Sequence, residues 1–275
     1  MEESIPYHEA TFDFGGCTAL TNAVVCGQPE QWAFVNCKNL KSVTMLGAPV
    51  KLGQETFAGC EKLEEIEIPE SCTIWGLDMF SGCKKLRRVN IPYGTTSFDP
   101  QDALVDVKKS LIGTFRDCQS LEDVVLPESM NSLHDTFAGC SRLSKINFPA
   151  ALESIYGAFR GCAFEDLDEP GTVKLIGGGT FTDNLSLTNI VFGEGLRMIG
   201  GSLFEGCENL RRVVLPASLE NITPNMNDSG SAAESVDCLF ALTLYPDEIV
   251  VPEESPYFEM TNGLLVQKFA VPKTE

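Results

Sequence analysis

The chain has 275 residues, 43% of them hydrophobic and 21% charged, with 20 basic against 39 acidic side chains and a net charge of −19. That is the composition of a folded, water-soluble protein, neither disordered nor membrane-embedded, and no stretch nears the roughly eighteen apolar residues of a membrane helix. So acidic a surface repels phosphate backbones, which argues against nucleic acid as a partner.

The opening residues Met1, Glu2, Glu3, Ser4, Ile5 and Pro6 supply neither a basic nor an apolar segment, so no secretory signal is read there. An intracellular protein and a mature segment of an exported one both fit. A repeat then starts at Phe14. Its clearest form is Phe57, Gly59, Cys60, Leu63, Ile66, Ile68 and Pro69, which recur as Phe80, Gly82, Cys83, Leu86, Val89, Ile91 and Pro92. The unit returns from Phe115, Phe137 and Phe204, with weaker copies from Phe14, Phe34, Phe159 and Phe181. Seven of the eight intervals between these phenylalanines are 20 to 23 residues, and the other is 35. One unit cannot bury its own apolar face, so the period marks a solenoid whose units pack on their neighbours.

Within a unit, the Leu, Val and Ile positions point inward, and Val-x-Ile has the period of two of a strand. The following proline cannot extend the ladder and ends it. Ahead of most of the phenylalanines an apolar residue and glycine read as a turn, as at Leu52-Gly53, Trp75-Gly76, Ile176-Gly177 and Ile199-Gly200, and Phe-x-Gly-Cys closes the coil.

This pattern resembles the BspA-type leucine-rich-repeat family from about Phe14 to Pro216. The stretch from Ile249 through Tyr257 to Leu265 resembles a non-repeat segment of that family. The resemblance implies an α/β-type repeat solenoid, a right-handed leucine-rich-repeat stack with a parallel sheet on one face and short strands, turns and helical turns on the other. It also implies display at microbial surfaces and binding of host or neighbouring-cell molecules. The expected organisation is a solenoid over 1–240 with insertions near 93–109 and 221–238, then a C-terminal cap over 241–275.

Cys17, Cys37, Cys60, Cys83, Cys118, Cys140, Cys162 and Cys207 share one repeat position, and Asn184 takes that position in the unit at Phe181. A slot that accepts Asn as well as Cys suggests a buried small group with a weak hydrogen bond, hence a reduced ladder. No C-x-x-C spacing suggests a metal.

Along the strands, the residues between inward positions face out. Their signs alternate through Lys41, Glu65, Arg88, Asp123 and Lys145, so mutual pairing is the expectation for most of this strip. At its end, Asn189 is followed by Arg211 and Arg212, which have no evident acidic neighbours and read as candidate partner contacts. The insertion after Pro92 adds Tyr93 and Phe98 as candidate anchors, and the one after Pro216 reads as a tolerated surface loop. The rung after Cys162 is one residue short and puts Glu169 in an inward slot beside Glu165, Asp166 and Asp168. A locally re-registered, solvated strand is the expectation there, ahead of a calcium site.

His8 and His134 are the only histidines, and no nucleophile elbow, phosphate loop, dinucleotide fingerprint or zinc motif is present. The reading is therefore no catalytic residue, no metal and no cofactor, with a two-carboxylate glycosidase only formally open. The expected function is a non-enzymatic module that binds a protein or a glycan, and the alternative is a structural spacer of a larger surface protein.

Overall fold

The structure is a computed structural model that describes residues 13–98, 110–122, 124–223, 239–240 and 245–268. It is a solenoid of short parallel strands around one continuous core of phenylalanine, leucine, isoleucine, valine and cysteine. Strands form on two faces of the coil. On the Val-x-Ile face, Asn22–Cys26 pairs with Ser42–Leu46 and Glu65–Ile66 with Arg88–Val89. Farther along, Asp166–Glu169, Asn189–Phe192, Arg212–Val214 and Glu248–Val250 form a four-stranded sheet.

The second face corrects the sequence reading. The apolar-glycine steps are not turns but strands, as at Ile74–Gly76 and Met198–Gly200. Ser110–Ile112, Ser132–His134, Ser154–Tyr156, Leu175–Ile176, Met198–Gly200 and Asn221–Thr223 make one six-stranded parallel sheet. Helical turns are almost absent: among the described residues only Leu239 and Phe240 are helical. The glycines permit this close stacking, because a Cβ on Gly200 would lie 2.1 Å from the Gly178 nitrogen.

Two features hold the corner between the faces. Phe14, Phe34, Phe57, Phe80, Phe115, Phe137, Phe159, Phe181, Phe204 and Phe240 stack with neighbouring centroids between 5.4 and 6.1 Å apart. Phe80 and Phe115 remain in contact at 5.7 Å, so the 35-residue interval loops out without breaking the stack. Beside the rings, each ladder thiol from Cys37 onward donates to a phenylalanine carbonyl one rung back, as Cys60 to Phe34 at 3.2 Å and Cys118 to Phe80 at 3.1 Å. Asn184 does the same to Phe159 at 2.8 Å, as the shared slot suggested. Of this ladder only Cys17 is exposed, because no described rung covers it.

The Val-x-Ile face is not a continuous sheet. Strand pairing lapses after Ile66 and Val89 and over residues 124–127 and 142–149, where side chains take over some of the bonding. The Asn90 carboxamide bonds both backbone groups of Ile68, and that of Asn147 bonds both of Leu126. The chain beyond Val250 closes with an antiparallel hairpin, Phe258–Thr261 against Leu264–Gln267, whose Phe258 and Leu265 are buried.

Candidate interaction surface

Residues 65 and 88 are directly paired, as are 166, 189, 212 and 248 in succession, but Lys41 falls beside Glu64 and Arg87, so the alternating series is not one column. Its charges do not pair as expected. Among the described residues, Lys41, Glu65, Arg88 and Lys145 take part in no ion pair, and Asp123 lies outside them. Pairing occurs in other columns instead. Glu61 bridges Lys38 at 3.3 Å and Lys84 at 3.5 Å, and Asp135 bridges Arg116 at 3.3 Å and Arg160 at 3.7 Å. The hydrogen bond from Lys38 is the main cause that holds the Glu61 carboxyl below its usual range.

Arg212 is the clearest correction. The sequence offers it no evident acidic neighbour, but its Nε lies 2.8 Å from Glu248 and its guanidinium reaches the Asn189 side-chain oxygen at 3.4 Å. Glu248 becomes its neighbour because the chain re-enters the stack after the second insertion. The signal was present: Phe240 to Pro252 repeats the twelve-residue step from Phe57 to Pro69, with Thr243 and Pro246 disguising the Cys and Leu slots. Arg211 stays exposed and has no ion pair among the described residues. Tyr93 is 71% exposed on the turn after Pro92. Phe98 ends the strand Thr96–Phe98, which pairs with Ile74–Gly76, so the chain leaves the ladder after Phe98 and not at residue 93. Residues 99–109 and 224–238 lie outside the described ones, as does His8.

Glu169 is not solvated. It is 3% exposed, and one carboxylate oxygen accepts from the backbone nitrogens of Gly171, Thr172 and Val173 at 2.8, 3.0 and 3.1 Å. The other accepts from Gly193 at 3.3 Å. The carboxylate thus satisfies turn donors that elsewhere find a backbone carbonyl, as Met130 finds that of Pro127. The missing residue of this rung lies between Cys162 and Phe164, where only Ala163 stands, and the buried Phe164 ring fills the leucine slot against Phe159.

The reactive groups are held in structural roles. Burial pushes the Cys60 and Cys207 thiols up to about 12 and also holds those of Cys83, Cys118 and Cys162 well above the ordinary thiol range. His134 stacks on Tyr156 at 4.6 Å, while its neighbour Asp135 faces the two arginines, so the adjacent pair forms no relay. Among the described residues no group of three or more His, Cys, Asp or Glu could hold a metal, and no helix is long and apolar enough to cross a membrane. One open groove of about 570 Å³ is lined by Glu122, Ser141, Arg142, Ser144, Lys145 and Ala163.

The fold is shared with a leucine-rich cell surface protein of Faecalibacterium prausnitzii, 19% identical with a TM-score of 0.55, the match covering 74% of this chain and 65% of that one. This chain therefore spans about two thirds of that protein's length. A leucine-rich repeat protein from Bacteroides ovatus matches at 21% identity and a TM-score of 0.46, over 82% of this chain and 75% of that one. The T. pallidum leucine-rich repeat protein matches at 24% identity and 0.45, over 72% and 77%. A search among curated proteins finds no match. The BspA type leucine rich repeat region is matched in six copies over residues 11–102 and 112–231. With most of its length in that repeat, the chain belongs to the BspA-type leucine-rich-repeat family.

Proposed function

We propose that the chain is a non-enzymatic binding module for a protein or glycan ligand, displayed at a microbial surface. The observation that carries this is Tyr93, 71% exposed on the turn after Pro92, one short strand before the extra residues that follow Phe98. An aromatic ring left in water on a turn whose counterparts carry Glu70 and Glu128 costs hydration and fits a contact anchor. Phe98 ends the strand after which the first insertion begins, and Arg211 is an open cation at the far end of the strip. Asn189 and Arg212 hold each other and act as a pre-set polar pair beside Arg211. The surface assignment leans on the family and on the F. prausnitzii cell surface protein of the same fold.

The spacer reading is favoured by one observation, the self-paired columns through Glu61 and Asp135, whose charges hold neighbouring rungs together and are not offered to a partner. Capture from extracellular material and from the producing cell's lysate separates the two. The binding reading expects a retained partner that Tyr93→Ala or Arg211→Ala releases. Clean nulls in both materials would leave the spacer.

A further inference from the structure

The loops between each ladder cysteine and the next leucine run along one edge of the stack. Their two residues are Lys38 and Asn39, Glu61 and Lys62, Lys84 and Lys85, Gln119 and Ser120, and Ser141 and Arg142 in successive rungs. All nine such loops together hold five of the 20 cations and only two of the 39 acids, Glu61 and Glu208. The ratio is the reverse of the chain's own. The same turn recurs in each rung, with Lys38, Glu61, Lys84, Gln119 and Ser141 each donating their backbone N–H two residues back. The Lys38–Glu61–Lys84 bridge confirms that these positions are lateral neighbours.

One acid therefore answers two of the lysines, and Lys62 and Lys85 stand exposed on adjacent rungs, about 4.8 Å apart by strand spacing, with no acidic partner among the described residues. Placing like charges side by side costs stability, and nothing in the packing requires it. Arg142, two rungs on, has its side chain 61% exposed and is held only by Glu122 at 2.9 Å, an exposed pair of small worth. Next to it the missing residue at Ala163 removes the side chain that would cover it. There the open groove of about 570 Å³ begins.

We infer that this edge is a docking track for a linear anionic polysaccharide, with sulfate or carboxylate groups against Lys62, Lys85 and Arg142 and one sugar unit in the groove at Ala163. Nucleic acid fits less well, since its charges follow one another at about 3.4 Å per strand, closer than the rung spacing of about 4.8 Å. A glycan spaces its anions with hydroxyls, and Asn39, Gln119, Ser120 and Ser141 intersperse neutral hydrogen-bonding groups among the cations. The inference rests on the reading of the chain as a binding module but uses a surface apart from Tyr93 and Arg211.

The test is calorimetry of the full chain with heparin oligosaccharide at about 50 mM salt, with polyglutamate and a single-stranded oligonucleotide as competing probes. The expected result is saturable heparin binding that weakens about tenfold or more in the combined Lys62→Gln, Lys85→Gln, Arg142→Gln variant and as salt is raised. Glu61→Gln, which frees Lys38 and Lys84, should tighten it. A control that removes equal charge elsewhere, Arg88→Gln with Lys174→Gln and Arg197→Gln, should leave it within about twofold. No heparin binding, equal weakening in the control, or tighter binding of polyglutamate or the oligonucleotide would each overturn the track. Unchanged thermal midpoints in all variants guard against misfolding. Retention of a protein partner through Tyr93 by a chain that ignores heparin would overturn this inference alone.

Discussion

Asn90 meets Ile68 as a second peptide group would, accepting from the Ile68 nitrogen at 2.8 Å and donating to its carbonyl at 2.7 Å. Asn147 repeats the arrangement on Leu126 at 2.8 Å in both directions. Asn90→Asp keeps the acceptor, loses the donor and sets a carboxylate against a carbonyl. It should cost about 2 kcal/mol in urea denaturation, with Asn147→Asp similar. Wild-type stability in either variant would remove the side-chain ladder as a structural element.

The thiol ladder predicts an alkaline weakness. Cys60 and Cys207 ionise near 12 in the fold, above the ordinary thiol value, because burial disfavours the thiolate. Above about pH 9 the unfolded chain releases protons that the folded one retains. The stability these thiols contribute is full below that pH and is lost as pH climbs toward 12, by about 1.4 kcal/mol per unit for each thiol. Cys207→Asn, copying Asn184, should stay within about 1 kcal/mol of wild type at pH 7 and flatten the alkaline fall. Denaturation midpoints at pH 7, 9 and 10 measure both effects.

Left-handed corners couple neighbouring rungs. Asp117, at φ 60°, lays its carboxylate where a Cβ on Gly139 would sit, 2.3 Å away, and Gly139 itself has φ 79°. Gly139→Ala should destabilise by about 2–4 kcal/mol through clash and backbone strain together. Adding Asp117→Gly relieves only the clash and should return about 1–2 kcal/mol of that, a coupling that a double-mutant cycle reads directly. Additive losses would show that the two corners do not touch.

Glu169 carries four backbone donors on one carboxylate. Glu169→Leu fits the inward slot by polarity yet strands those donors, and should cost about 3 kcal/mol or more. Glu169→Gln keeps one oxygen and should cost less. A leucine variant at least as stable as wild type, judged by thermal and urea unfolding, would mean that the turn finds other acceptors.

Much of this was legible from the period alone. The Phe, Cys, Leu and Ile slots foretell the core residue by residue, and Asn184 among cysteines foretells the donor that the slot needs. The second strand ladder was not legible, because an apolar residue before glycine reads equally as a turn and as two residues of strand. Nor was the Arg212–Glu248 pair, since Thr243 and Pro246 hide the last unit. Glu169 misled for a different reason. Hydrophobicity alone cannot show that a buried carboxylate faces four N–H groups across a missing residue.

The stack of rings from Phe14 to Phe240 runs unbroken past both insertions, and its spacing barely varies. Length in such a chain is quantised. Whole rungs can be added or removed between equivalent corners, each moving the two ends by one strand spacing of about 4.8 Å, while every local contact is remade with the next rung in line. Reach can then evolve in fixed steps while the surface at either end keeps its form.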